Sequence, residues 1–117
     1  MIGSPYLYRR RISMRVLNFR ADGQVLKKDG NFDDLYPGSA GYLYAEFNCS
    51  RDWLGMVKVA EFRLRLKGDP VSVAVINGRC EIPESICAAS YFFVRLIGKK
   101  GRVRLTTGDC EVKQYAY

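Results

Sequence analysis

The chain contains no histidine, and its four cysteines, Cys49, Cys80, Cys87 and Cys110, form no C-x-x-C pair. Without histidine the commonest general base is missing, so Ser-His-Asp and Cys-His nucleophiles are ruled out. Neither absence leaves the ligand spacing of a zinc site. No apolar run approaches the ~20 residues of a membrane-spanning helix. The charged opening, Met1 to Arg11, has no apolar stretch or small-residue cleavage pattern behind it, so no secretory leader and no membrane partner are expected. On that reading the thiols stay reduced and behave as small buried hydrophobes. The acids Asp29, Asp33 and Asp34 lack the spacing and closing Glu of a calcium loop, and Gly98-Lys99-Lys100-Gly101 lacks the Lys-Ser/Thr and helix of a phosphate loop. No catalytic set, metal or cofactor is expected, and no helix beyond one or two turns.

What is present suits a folded β domain. A chain of 117 residues is long enough for one domain with an ordinary core, and 48% hydrophobic with 13% aromatic residues argues against disorder. Nineteen Lys and Arg against twelve Asp and Glu give a net charge of +7, unevenly placed. Arg9, Arg10, Arg11, Arg15 and Arg20 open the chain without an acid. From Tyr91 onward, Arg95, Lys99, Lys100, Arg102, Arg104 and Lys113 face only Asp109 and Glu111. Such a balance favours acidic partners, either nucleic acid or an acidic protein surface. Strand faces with alternating solvated Arg would give the same composition.

The chain is organised around Tyr42 to Leu66. Leu43, Ala45 and Phe47 alternate with Tyr42, Tyr44 and Glu46, the period of a half-buried strand. A corner follows at Asp52-Trp53-Leu54-Gly55, where Asp52 can bond neighbouring N–H groups, the lone Trp53 can plug the core, and Gly55 can adopt positive φ. Beyond it Val57 and Val59 differ in parity from Phe62, Leu64 and Leu66, which predicts a bulge near Ala60 and Glu61. Residues 1–11 read as an extended basic and aromatic arm, with Tyr6 and Tyr8 as anchors and Arg9, Arg10 and Arg11 as partner-binding groups. Residues 12–117 read as the sandwich. Hairpin turns are expected at Ala21-Asp22-Gly23-Gln24 and Asn77-Gly78, a long loop from Asp29 to Gly41, and a helical turn from Pro83. Tyr91 to Ile97, apolar on both faces, should be central. Gly98 to Gly101 should turn into a strand with Val103 and Leu105 inward, before a last strand from Cys110. Eight or nine short strands with frequent turns predict an antiparallel β-sandwich.

Two pairs of acids, Asp33 with Asp34 and Glu81 with Glu84, are the only candidates for paired-carboxylate chemistry, and surface solvation explains them more simply. Basic residues alternate with aromatics in Tyr6 to Arg11 and Tyr91 to Arg104, so a small basic nucleic-acid-binding β-domain is the alternative reading.

The order AEFNCSRDWLGMVKVAEF, NGRCEIPESI, YFFVRLIGKKGRVRLTT and CEVKQY resembles a family of small virion-associated proteins of tailed bacteriophages and prophages. The matching positions are Phe47, Asp52, Trp53, Gly55, Lys58, Ala60 and Phe62, then Cys80, Ile82, Pro83 and Glu84, and the run Arg104-Leu105-Thr106-Thr107. The resemblance covers Gly41 to Tyr115 and leaves out the arm and the Asp29 to Gly41 loop. It implies an immunoglobulin-like sandwich in a tail baseplate, fibre base or capsid decoration. The expected role is a non-enzymatic structural subunit of the virion, made in the host cytoplasm, touching other virion proteins and forming a homo-oligomer or symmetric array. Arg9, Arg10 and Arg11 would then bind carboxylates on an acidic virion surface.

Overall fold

The computed structural model describes residues 14–115; the arm, residues 1–11 with Tyr6, Tyr8, Arg9, Arg10 and Arg11, lies outside the described residues. The chain begins with β1 (Arg15–Asp22), in which Leu17, Phe19 and Ala21 alternate inward, and returns through Gly23-Gln24 as β2 (Val25–Asp29). Gly23 takes the first central position of this turn at φ 56°, the conformation that glycine alone adopts at little cost. Residues 30–42 then carry the chain back along the sheet, tacked down by Leu35 in the core and by Phe32, whose ring meets Phe19 edge-on at 5.3 Å. They deliver β3 (Leu43–Cys49) to the free side of β1.

That delivery corrects the expected all-antiparallel pairing, because β3 runs parallel to β1, with Leu17 opposite Ala45 and Phe19 opposite Phe47. A parallel neighbour needs a crossover of about a dozen residues. The long loop is that crossover. The remaining strands are β4 (Val57–Arg63), β5 (Val71–Val75), β6 (Arg79–Glu81), β7 (Tyr91–Lys100), β8 (Val103–Thr106) and β9 (Cys110–Lys113), with one short helix, α1 (Glu84–Cys87). Every other pairing is antiparallel. One sheet has the order β2-β1-β3-β6; the other has β5-β4-β7-β8, with β9 alongside the first half of β7.

The sheets pack face to face. Leu17, Phe19, Ala21, Ala45 and Phe47 from one meet Ala60, Phe62, Phe92, Val94, Leu96 and Val112 from the other in a single buried cluster. Phe47 stacks on Phe19 at 5.4 Å and Phe62 meets Phe92 at 6.3 Å. Along one side the Asn77-Gly78 turn takes the chain from β5 to β6 and so from one sheet to the other, with φ positive at both residues, as a two-residue hairpin requires. Along the other side the Gly108 N–H donates to the Gln24 carbonyl at 3.0 Å. Central β7, apolar on both faces as expected, changes partner at Thr107, whose buried hydroxyl accepts the Leu96 N–H at 2.9 Å where the ladder passes from β8 to β9.

Several local expectations are corrected. β4 pairs without interruption with both β5 and β7, so no bulge occurs at Ala60 and Glu61. Ala60 and Phe62 point inward and Val57 outward, while Leu64 and Leu66 are exposed beyond the end of the strand. Gly98 belongs to β7 and the turn falls at Gly101-Arg102; Val103 is exposed. Pro83 precedes α1, and its carbonyl accepts the N–H groups of Ile86 and Cys87, both at 3.0 Å.

Candidate functional site

The corner after β3 is built by short backbone bonds. Residues Arg51–Trp53 form a single 3₁₀ turn, closed by the Trp53 N–H to the Ser50 carbonyl at 3.1 Å and the Leu54 N–H to the Arg51 carbonyl at 3.0 Å. Gly55 at φ 77° then lets the chain reverse into β4. The expected role of Asp52 is taken by Ser50, whose hydroxyl accepts the Gly23 N–H at 3.0 Å. Asp52 is exposed, with its carboxylate over the Gly23 turn.

Trp53 is the plug that the sequence suggests, 1% exposed. Its indole Nε1–H donates to the Gly23 carbonyl at 2.9 Å and so ties the β4 side of the sandwich to the β1-β2 turn. Its other flank rests on Gly98, where a Cβ would stand 2.9 Å from Cζ3 and 2.7 Å from the Met56 sulfur. Glycine is therefore required there by a ring that comes from far away in the chain. A buried tryptophan on one side of a turn forces the next side chain outward, and Leu54 is 77% exposed.

Leu54 is not isolated. Val57, 74% exposed, lies opposite Lys99; Ile76, 66% exposed, follows Val75, which pairs with Lys58; and Val103, 57% exposed, lies opposite Lys100. The four most exposed large aliphatic side chains among the described residues thus share one end of the sandwich, Val57 on the outer face of the sheet with Lys99 and Arg104, and Val103 on the other face with Lys100. Interleaved with them are Lys99, Lys100, Arg102 and Arg104, all exposed, on a hairpin with no acid between Arg95 and Asp109. Lys99 sits directly across from Arg104, an arrangement of like charges that disfavours the isolated hairpin. Among the described residues the ion pairs are Arg20–Asp22, Arg63–Asp109, Arg79–Glu46 and Arg95–Glu61, and none of them neutralises this tip. Uncompensated cations beside exposed aliphatic groups attract acidic, partly apolar surfaces.

The other candidates lie elsewhere. Phe47 and Phe62 are core residues and Pro83 is half-buried before α1. The adjacent acids Asp33 and Asp34 line separate grooves, Asp33 one of about 470 Å³ with Phe32, Lys28 and Tyr115, and Asp34 one of about 230 Å³ with Arg15 and Tyr42. Neither groove brings a second carboxylate to face the first. Glu81 and Glu84 are exposed. Burial pushes the Cys80 thiol up to about 12 and raises those of Cys49, Cys87 and Cys110, with the charges of Glu81 and Glu84 adding to the effect on Cys87. These thiols stay protonated near neutral pH. Among the described residues no group of three or more Cys, Asp or Glu could hold a metal ion.

The aliphatic half of the site is missed by the sequence, which points Val103 inward and explains the parity of Val57 by a bulge. The signal that could have found it is the position of Leu54 immediately after the lone tryptophan. The chain matches no protein-family model, no curated protein and no solved structure.

Proposed function

We propose that the chain is a non-catalytic structural or attachment subunit of a phage particle, an immunoglobulin-like sandwich that docks its basic, aliphatic end on an acidic face of another virion protein. The observation that carries this reading is the cluster of Leu54, Val57, Ile76 and Val103 among Lys99, Lys100, Arg102 and Arg104. The two face-to-face sheets support the immunoglobulin-like description. The resemblance noted in Gly41 to Tyr115 supports the virion. The arm would add Arg9, Arg10 and Arg11 as further carboxylate-binding groups, with Tyr6 and Tyr8 as anchors.

An acidic protein fits this end better than nucleic acid does. Single-strand binders stack bases on exposed aromatic rings. The exposed apolar groups here are all aliphatic, and the exposed tyrosines Tyr36, Tyr42, Tyr91 and Tyr115 belong to other segments.

Particle assembly tests the reading. Changing Lys99, Lys100, Arg102 and Arg104 together to Glu should leave the melting temperature within a few degrees of wild type and abolish incorporation. Changing Arg9, Arg10 and Arg11 to Ala should weaken incorporation in the same direction, and both effects should mimic raised salt, which screens exposed charges beyond ~8–10 Å. Normal incorporation of the fourfold variant would remove the docking end. Tight, salt-sensitive binding of DNA by the wild type, lost in the same variant, would favour the nucleic-acid reading.

A further inference from the structure

The outer edge of β5 is the second unusual surface. Val71, Val73 and Val75 turn their side chains toward the interior, with Val73 and Val75 packed against the core. At Ile76 the backbone groups point away from β4: its N–H donates to the Arg79 carbonyl at 2.9 Å and its carbonyl accepts the Arg79 N–H at 3.0 Å. Alternation along a strand then aims the N–H and C=O of Ser72 and Ala74 the same way. Among the described residues no backbone partner meets them. Natural edges are guarded by Lys, Pro, a bulge or a covering segment. The edge strand β2 carries Lys27 and Lys28 within it, whereas β5, Val-Ser-Val-Ala-Val, carries none and has only Pro70 just before its first residue.

We propose that β5 pairs antiparallel with β5 of a second copy, about a two-fold axis through Val73. The inference deepens the structural-subunit reading but does not need it, since the pairing is a property of the isolated chain. The register follows from the free groups. With the axis at Val73, Ser72 of each copy exchanges both backbone bonds with Ala74 of the other, and every free group of the edge is used. An axis at Ala74 would instead oppose Ser72 to Ile76, whose groups Arg79 already holds, whereas the axis at Val73 sets against Ile76 only Pro70, which has no N–H to leave unpaired.

Side chains and charge agree with this register. Val73 meets itself at the close spacing of a non-hydrogen-bonded pair, about 4.5 Å between Cα atoms, and Val71 faces Val75 of the second copy, β-branched against β-branched. Two chains that each carry +7 repel over most of their surfaces. On this flank β5 is uncharged, Glu61 is held by Arg95 at 2.7 Å, and Glu46 is held by Arg79 at 2.8 Å. The paired strands themselves therefore bring no like charges together. Pairing of two short strands falls at the small end of interface sizes, below ~1,200 Å², so the dimer is weak and concentration-dependent in solution.

Sedimentation of the full chain from about 10 μM to 1 mM, the range in which so small an interface would act, should show the mass rising from 13.3 kDa toward twice that value. Ala74→Lys, on an exposed edge position, should hold the chain monomeric over this range with an unchanged melting temperature. Val73→Cys should form a disulfide-linked dimer under mild oxidation, because about 4.5 Å lies within the Cα range of a disulfide. Val71→Cys, which faces Val75, should form none above the wild-type background. A monomer throughout the range, a dimer indifferent to Ala74→Lys, or stronger cross-linking of the Val71→Cys variant than of the Val73→Cys variant would each overturn the proposal. None of these results would touch the docking end, which the particle assay reads separately.

Discussion

Gly98→Ala puts the packing of the corner to a direct test. The new methyl would lie 2.7 Å from the Met56 sulfur and 2.9 and 3.0 Å from two carbons of the Trp53 ring. The thioether can swing aside, being the flexible end of an unbranched side chain. The indole cannot, because Nε1 is bonded to the Gly23 carbonyl and the ring is buried. Overpacking of this kind costs about 1–3 kcal/mol, while replacing glycine within a strand by alanine returns roughly 0.5–1 kcal/mol. The clash wins, and a net loss of about 1–2 kcal/mol is expected. With a urea m-value of about 1–2 kcal/mol/M for a chain of this size, the midpoint falls by about 1 M. Trp53 is the only tryptophan, so fluorescence reports unfolding and the state of the clashing ring at once. Gly108→Ala is the internal control, since a Cβ there meets nothing within 4 Å, and it should be neutral or slightly stabilising. A Trp53→Phe background should relieve part of the penalty, giving a coupling of about 1 kcal/mol in the double-mutant cycle. Equal midpoints for Gly98→Ala and Gly108→Ala would refute the wedge.

Two further perturbations have signs set by the structure. Asp109→Asn takes from Arg63 the negative charge at 2.7 Å and leaves a mostly buried guanidinium, whose Nε has no partner, facing only neutral acceptors such as the Leu66 carbonyl. Denaturant titration should show a loss of about 1–3 kcal/mol, against less than about 0.5 kcal/mol for Asp22→Asn in the exposed Arg20 pair. Cys80 supplies a pH dependence. Its folded thiol is pushed up to about 12 by burial while the unfolded thiol titrates near 8.5. The unfolded state therefore loses its proton first, and this contribution to stability is intact below about pH 8.5 and lost as pH rises toward 12. Denaturant midpoints between pH 8 and 11 should fall more steeply for the wild type than for Cys80→Ala, and parallel curves would contradict the assignment.

How far the sequence is legible depends on how local each cause is. The strand through Leu43, Ala45 and Phe47, the Asn77-Gly78 hairpin, central β7 and the burial of Trp53 could all be read in advance, because alternation and turn chemistry act over a few residues. The inferred bulge failed for a different reason. Alternation reveals two faces without saying which is buried, and Val57 and Val59 put apolar side chains on the outer one. Gly98 reads as part of a turn because it shares a short basic run with Gly101; only the latter turns, at φ 60°. The demand on Gly98 comes from Trp53 in another segment, and no local pattern carries it. The parallel pairing of β1 with β3 was equally hidden, since strand order is decided by long-range packing. For the same reason the basic half of the docking end was visible as composition, whereas its aliphatic half appears only once β4, β7 and β8 are laid side by side.

The wedge inside and the patch outside are the same few residues taken alternately. Trp53 points in and Leu54 out; Met56 touches the space beside Gly98 while Val57 faces solvent; Gly98 receives the indole and Lys99, the next residue, stands on the opposite face. Leu54 and Lys99 are thus each one peptide away from a buried residue, and Val57 adjoins Met56, which packs against the core. Binding through a loop must immobilise backbone as well as side chains, at a cost of about 1–2 kcal/mol for each residue fixed. Binding through this end fixes only side chains, because the backbone is already held by the indole bond to Gly23 and by the β4-β7-β8 ladder. A subunit that must occupy one orientation on a larger assembly gains from that difference, since less of its contact energy is spent on ordering itself. On the proposed docking, the lone tryptophan would act on recognition without touching the partner, by keeping Leu54, Val57 and the basic hairpin in one fixed relation.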